Sequence, residues 1–577
     1  MFVFDILLRG FIFLLPGVGL TLIEQRRRTL EPLQFAAVTL VNSALVAYVV
    51  FWPYLVSARF GKAVSLFVAL GTVAVIVREF LARRIEIVRL RELGVCALLM
   101  TLVAIAYSAI GHLYHYSSDP VIQAQQRFVD LPPDNFIPYV FAGRLYHSVP
   151  VRPWLFGEWK SSDRPPLAVG ATLFQIPLWK EQQRVIHYQN LGVFLQSMWI
   201  AALWIVLKSA QVPRRVIAVT CAFCVASPAF LLFTFFIWPK FLAAGLFIIC
   251  LYFLRVVQRE TTKCTSFDIA FAGTALALGF LSHPGVAFTA IGLAVFLLIR
   301  RTLPPFQRSL GGVILLLVLV APWILYQKFY DPPGDRLIKW HLAGVREIDS
   351  RSFPRALMDA YTTTPPRQII QAKISNFETL WGRGPIGSAS HMLVQKNGLD
   401  AKQLLAEYVN SNFFYVLQAT GVLNAGFLVL LFMPMYLKKR KQNAAFEAAL
   451  SLLVFSLLSL IVWCLIMFGP RGTLLHEGSL ATFILLYVAL AAILTIIAPK
   501  LSYVLLAIQM VLLFPLYVFA KPFLAGGGAA VWNEADRTMA IVTFASLGIL
   551  TLLAWRFGFC ERPRVGERAL TSHVARK

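Results

Sequence analysis

Leu480 to Ala498 reads LATFILLYVALAAILTIIA, an unbroken apolar run without a charged residue. A helix of about 20 residues crosses the roughly 30 Å of bilayer hydrocarbon, and a run of this length and character belongs there. Blocks of roughly 17 to 23 mostly apolar residues recur along the chain. Their centres fall near residues 13, 45, 71, 102, 199, 225, 248, 275, 292, 317, 424, 457, 488, 511 and 548. The 577 residues are 58% hydrophobic and only 14% charged, with mean hydropathy +0.70. So few charges could not cover the surface of a soluble protein of this size. The expected fold is therefore all-α, a polytopic transmembrane helical bundle of about fifteen spans. The first block, residues 3–23, contains Asp5 and Arg9 and could lie in the interface instead. It lacks a small-residue cleavage site, so it is not read as a removed signal peptide.

A net charge of +25 would suggest nucleic acid as the partner of a soluble protein. Here the basic residues sit in short loops: Arg26 to Arg28; Arg83, Arg84, Arg89 and Arg91; Arg214 and Arg215; Arg300 and Arg301; Lys438 to Lys441; and the tail beyond Arg556. Alternating spans put all of them on one face, the positive-inside pattern, so no nucleic-acid partner is expected. The opposite face receives two long loops that carry short interfacial helices. The expected organisation is N-terminal spans (1–113), first outer loop (114–188), central bundle (189–325), second outer loop (326–412), C-terminal bundle (413–556) and basic cytoplasmic tail (557–577). None of Cys96, Cys221, Cys224, Cys250, Cys264, Cys464 and Cys560 falls in an outer loop, so no disulfide framework is expected.

The first outer loop carries acids between proline signals. Asp119-Pro120 is a good N-cap and first-turn pair, because the carboxylate accepts orphan N–H groups and proline needs no acceptor. The same carboxylate could instead act as a general base at the membrane surface. Val121, Ile122, Ala124 and Phe128 give the next stretch an apolar stripe, as in a surface helix that Pro132 and Pro133 end. Asn135 to Tyr146 has the composition of a second. Asp163-Arg164-Pro165-Pro166-Leu167 then leads back toward the membrane. It reads either as a rigid turn with Arg164 at lipid headgroups, or as Arg164 set against a phosphate and oriented by Asp163.

An acid at the start of a surface helix, followed by a D/K/H-x-Pro-Pro-Leu element before the next span, resembles the GT-C superfamily. These are multi-pass glycosyltransferases that use polyprenyl-phosphate sugars, including aminoarabinose, mannosyl and arabinosyl transferases. The resemblance covers residues 92 to 300. It implies that Asp119 is the catalytic base, that Asp163 to Leu167 is the second element, and that nearby basic residues hold the donor phosphate. The chain departs from the family in having about four spans before this loop, where one is usual. It also has Pro120 where a second acid commonly follows the first.

Other outer turns supply further substrate-binding candidates. Trp238-Pro239-Lys240 is either an aromatic-belt tryptophan with a snorkelling lysine or a lysine facing a lipid-linked phosphate. His283 lies in Ser282-His283-Pro284-Gly285. Arg471 lies in Gly469-Pro470-Arg471-Gly472, and His476 follows in His476-Glu477-Gly478-Ser479. Arg471 suits bidentate phosphate contact, and both histidines suit phosphate or sugar. The second outer loop has the length of a cap over a cleft at the membrane face. No His/Asp/Glu cluster has metal spacing, so no cofactor is expected, with a divalent metal left open.

These readings converge on an enzyme of the bacterial inner membrane. It would take a sugar from a polyprenyl-phosphate donor and pass it, with inversion, to a hydroxyl of a lipid, glycan or protein on the periplasmic face. The donor tail and membrane lipids are then its partners. A flippase or transporter of a lipid-linked sugar would share a groove and basic outer residues but calls for ionisable residues near the midplane. A non-catalytic subunit of an envelope-assembly complex is the third reading.

Overall fold

The computed structural model describes residues 2–84, 86–113, 119–128, 130–382, 412–431 and 443–513, with isolated positions beyond, among them Tyr517. The block centred on 548, the Lys438 to Lys441 loop, Cys560 and the 557–577 tail lie essentially outside these. Apart from one isolated bridge between Phe156 and Trp159, the regular structure among the described residues is helical. Four long helices open the chain: α1 (Phe2–Arg27), α2 (Pro32–Val56), α3 (Ala58–Leu81) and α4 (Ile87–His112). The first long loop carries α5 (Pro120–Gln126), α6 (Ile137–Tyr146) and α7 (Pro166–Gln175). A central group follows: α8 (Arg184–Gln196), α9 (Met198–Ser209), α10 (Arg214–Val225), α11 (Pro228–Phe235), α12 (Lys240–Phe253), α13 (Ser266–Ser282), α14 (Val286–Arg300) and α15 (Phe306–Leu325). The second long loop holds α16 (Arg336–Ala343), α17 (Phe353–Thr363) and α18 (Pro366–Trp381). Later helices include Ala444–Ile466, Leu480–Ile497 and Pro499–Leu513.

Eight helices are long and apolar enough to cross a membrane, and the bent pair α10–α11 makes up to nine. Every apolar block centred from residue 13 to residue 511 falls on a helix, but six of these helices have only 10 to 17 residues. The chain is a multi-pass helical membrane protein. Helices apolar on all sides must meet either protein or lipid. The α8–α9 segment is buried throughout its apolar window, whereas α3 and α15 leave most of theirs exposed, as lipid-facing helices do.

Asp5 and Arg9 make α1 part of the bundle rather than a surface segment. Arg9 Nε donates to Asp5 Oδ1 at 3.0 Å, and from α8 Asn190 Nδ2 donates to Asp5 Oδ2 at 2.7 Å. His187 Nδ1 lies 2.8 Å from Asp5 Oδ1. A charge drawn out of water is tolerated when paired and hydrogen-bonded, and here the pairing bolts α1 to α8.

The α10–α11 span bends by 64°. Pro228, at the first position of α11, has no N–H to continue the ladder and disfavours helical geometry just before it. The carbonyls freed at the break find side-chain donors. Phe223 O accepts from Tyr487 Oη at 3.1 Å and Gln509 Nε2 at 2.9 Å, and Val225 O accepts from Tyr107 Oη at 2.9 Å. Irregular backbone at membrane depth persists only with such partners.

The first loop packs into the protein. On α5, Val121, Ala124 and Phe128 are buried while Ile122 is exposed, and Gln123 and Arg127 are buried as well. Gln123 Nε2 donates to Gly111 O at 3.0 Å, supplying a partner at the end of α4. The helix is therefore wedged against the end of α4 rather than floating on lipid. A Cβ at Gly170 would lie 2.0 Å from Ala47 O, so only glycine lets α7 seat backbone to backbone on α2.

Candidate active site

Proline sets the local backbone of several functional candidates. Asp119, Arg164 and His283 each precede a proline, and their φ values are −94°, −122° and −154°. Clash with the proline ring excludes the helical region and leaves these residues extended. Lys240 follows Pro239 and opens α12.

Asp119 is the N-cap of α5. Its Oδ1 accepts from Val121 N at 2.8 Å and Ile122 N at 3.2 Å, the cap geometry its sequence position suggests. Asn135 Nδ2 donates to Val121 O at 3.2 Å, and the neighbouring Asp134 pairs with Arg164 Nη2. A short path of contacts thus joins the cap to the basic residues.

Arg164, Lys240, His283 and His476 converge. Lys240 Nζ donates to Leu475 O at 3.3 Å and also to His476 O, and lies 3.8 Å from the Trp238 ring centroid. The Trp238 ring lies 5.6 Å from His283 and 5.1 Å from His476. Arg164 stands over the Trp159 ring at 4.2 Å, and its charge is felt at His283 and His476. Burial, reinforced by the cations, holds His476 down at about 3 and pushes His283 well below the usual imidazole range. His283 Nδ1 accepts from Gly285 N at 3.1 Å, which leaves its proton on Nε2.

Asp163 stands behind this cluster. Its Oδ2 accepts from Lys160 N at 3.0 Å and lies 3.7 Å from Arg336 Nη1, while Oδ1 is enclosed without a partner. Burial raises its carboxyl above the ordinary range, opposed by the Lys160 N–H and by the Arg164 and Arg336 charges. Arg471 is not drawn in. It is exposed, at φ 60°, and makes no ion pair among the described residues.

Several residues at the site were not candidates from sequence. Asp134 is buried against Arg164, and Arg336 shares the Trp159 ring with Arg164 at 5.3 Å. Asp331 ties the loops: its Oδ2 accepts from Ser161 Oγ at 2.6 Å and Ser162 N at 3.0 Å, while Lys160 Nζ lies 3.3 Å from Oδ1. His341 joins the histidines, and burial with the Lys240 charge holds it at about 4. Glu477 accepts from Thr473 N at 2.8 Å, and burial raises its carboxyl against the pull of Lys240 and Arg346. Asp134 follows Pro132-Pro133 and Glu477 adjoins His476, so both carried a local signal. His341 carried none, because its place depends on long-range packing such as Phe468 N donating to its carbonyl at 2.9 Å. Among the described residues no group of three or more His, Cys, Asp or Glu side chains is placed to hold a metal ion.

The arrangement offers an anion two cations, with an acid-bearing helix start close by. No protein-family model and no curated protein sequence matches the chain. Among solved structures it is similar to the crystal structure of ArnT from Cupriavidus metallidurans bound to undecaprenyl phosphate. The two share 15% sequence identity at a TM-score of 0.32, over 70% of this chain and 77% of that chain. At that identity and TM-score no residue role passes from one chain to the other.

Proposed function

We propose that this chain is a glycosyltransferase of the bacterial inner membrane that moves a sugar from a polyprenyl-phosphate carrier to a hydroxyl acceptor on the periplasmic face. The observation that carries the reading is the meeting of Arg164 and Lys240, from two separate loops, at one enclosed site of a multi-pass chain. A lipid-linked phosphate suits such a place, since its tail stays among the helices while its charge meets the cations.

In the reaction the acceptor oxygen attacks the anomeric carbon, the bond from that carbon to the phosphate oxygen breaks, and the anomeric centre inverts. The acceptor proton passes to the Asp119 carboxylate, whose direction the α5 cap fixes through Oδ1. The bonding electrons leave with the polyprenyl phosphate, and Arg164 and Lys240 stabilise the charge that grows there. One such preorganised donor is worth about 10²- to 10³-fold in rate. Asp134 and Asp163 hold Arg164 in place rather than touching substrate.

The test uses the purified full chain as wild type, Asp119→Asn and Asp119→Ala, with polyprenyl-phosphate sugars and cell-envelope acceptors. Asparagine keeps the cap but cannot take a proton. A folded, inactive Asp119→Asn beside an active wild type is the expected result. Full activity in Asp119→Asn removes Asp119 as the base. If wild type transfers no sugar yet moves the lipid-linked sugar between leaflets, the chain is a flippase.

A further inference from the structure

Phosphate binding leaves part of this site unexplained. His283, His341 and His476 surround Trp238 and Lys240, keep part of their surface open, and form no ion pair with a carboxylate among the described residues. Three enclosed polar atoms here lack a hydrogen-bond partner: Trp238 Nε1, His341 Nδ1 and Arg164 Nε. An enclosed donor or acceptor left unmatched costs about 1–3 kcal/mol, so a set of them at one site points to a ligand that supplies hydroxyls.

The electrostatics narrow that ligand further. Burial and the Lys240 charge depress all three imidazoles, and Arg164 adds to this at His283 and His476. A neutral imidazole carries one donor and one acceptor, which matches a hydroxyl. The field that keeps the imidazoles uncharged acts equally on any other cation placed among them. The nearby carboxylates do not cancel it, because Asp134 is engaged by Arg164, and Glu477 by the Thr473 N–H.

We propose that Trp238, His283, His341 and His476 seat the transferred sugar, accepting an uncharged, hydroxyl-rich ring and rejecting a sugar that bears an ammonium group. The indole face would take the C–H side of the ring and the imidazoles its hydroxyls. This rests on the polyprenyl-phosphate reading above and adds the class of sugar to it.

The experiment measures binding of the purified full chain to three probes: polyprenyl phosphate alone, polyprenyl-phosphate mannose and polyprenyl-phosphate aminoarabinose. The mannose carrier should bind more tightly than the bare phosphate, and about tenfold or more tightly than the aminoarabinose carrier. His341→Leu, checked for folding by its thermal midpoint, should lose the gain that mannose adds over bare phosphate. Failure of the bare phosphate to bind overturns the carrier reading and this one with it. Binding of bare phosphate with equal or greater affinity for the aminoarabinose carrier overturns the sugar assignment alone. So does a His341→Leu chain that keeps the full mannose gain.

Discussion

The Lys160 ammonium and the Asp331 carboxylate lie 3.3 Å apart and join two loops across 171 positions of sequence. Asp331 is almost wholly buried, and it also accepts from Ser161 Oγ and Ser162 N, directly beside Asp163 and Arg164.

Asp331→Asn should therefore act on both stability and chemistry. It leaves a largely enclosed lysine without its counter-charge, a loss of about 3 kcal/mol. Thermal unfolding in detergent should show a lower midpoint, and sugar transfer should fall because the 161–164 turn loses its anchor. An unaltered midpoint would mean that other contacts hold the two loops together.

Arg164→Lys should be far from conservative. Lysine cannot reproduce the planar group that stands over Trp159 while pairing with Asp134. Turnover is expected to drop about hundredfold with a small change in thermal midpoint. Retention of most activity would assign Arg164 to loop packing instead of the phosphate.

Acid should destabilise the fold through its histidines. The free imidazole titrates near 6.5, whereas His341 is held at about 4 and His476 at about 3. As pH falls from about 6.5 to about 4 the unfolded chain takes up protons that the folded chain refuses, so stability drains across that window. Asp163 and Glu477, both raised by burial, act in the opposite sense at its acid end. His341→Gln and His476→Gln should each flatten the fall of thermal midpoint between pH 6.5 and pH 4. If the slope of both variants matches wild type, these imidazoles are solvated.

The capped break in α10–α11 calls for a double-mutant cycle. Tyr487 and Gln509 both donate to Phe223 O, and Gln509 Nε2 lies 2.8 Å from Tyr487 Oη. Gln509→Leu alone should cost about 0.6 kcal/mol, since Tyr487 still serves the carbonyl. Adding Tyr487→Phe should cost more than the sum of the single changes, because Phe223 O then loses both donors. Strict additivity would mean that the carbonyl finds another donor.

Proline and apolar length were the legible parts of this chain. Proline acts through a local clash, so the extended backbone at Asp119, Arg164 and His283 is written in adjacent residues. Apolar runs located the helices for the same local reason. Partnership is not local: nothing near Arg164 announces Asp134, and nothing near Lys160 announces Asp331. The short helices also escaped a reading based on length, because α8 and α9 form one apolar segment while α10 and α11 are split by Pro228. Arg471 shows the converse failure. A guanidinium in a glycine-proline turn looks like a phosphate ligand, but its direction depends on a neighbouring contact, Asn376 Oδ1 accepting from Gly472 N at 2.8 Å.

The shortness of α12 has a mechanical consequence. Its 14 residues rise only about 21 Å, against roughly 30 Å of hydrocarbon. Arg255 follows its far end and pairs with Asp268, which anchors that end at the opposite surface. The Lys240 end must then sit below the headgroup plane, or the bilayer must pucker inward to meet it. Either way the cation waits at the bottom of a dimple. A phosphate carried on a membrane-embedded chain glides into such a dimple sideways, whereas one dissolved in water must first shed its hydration to descend.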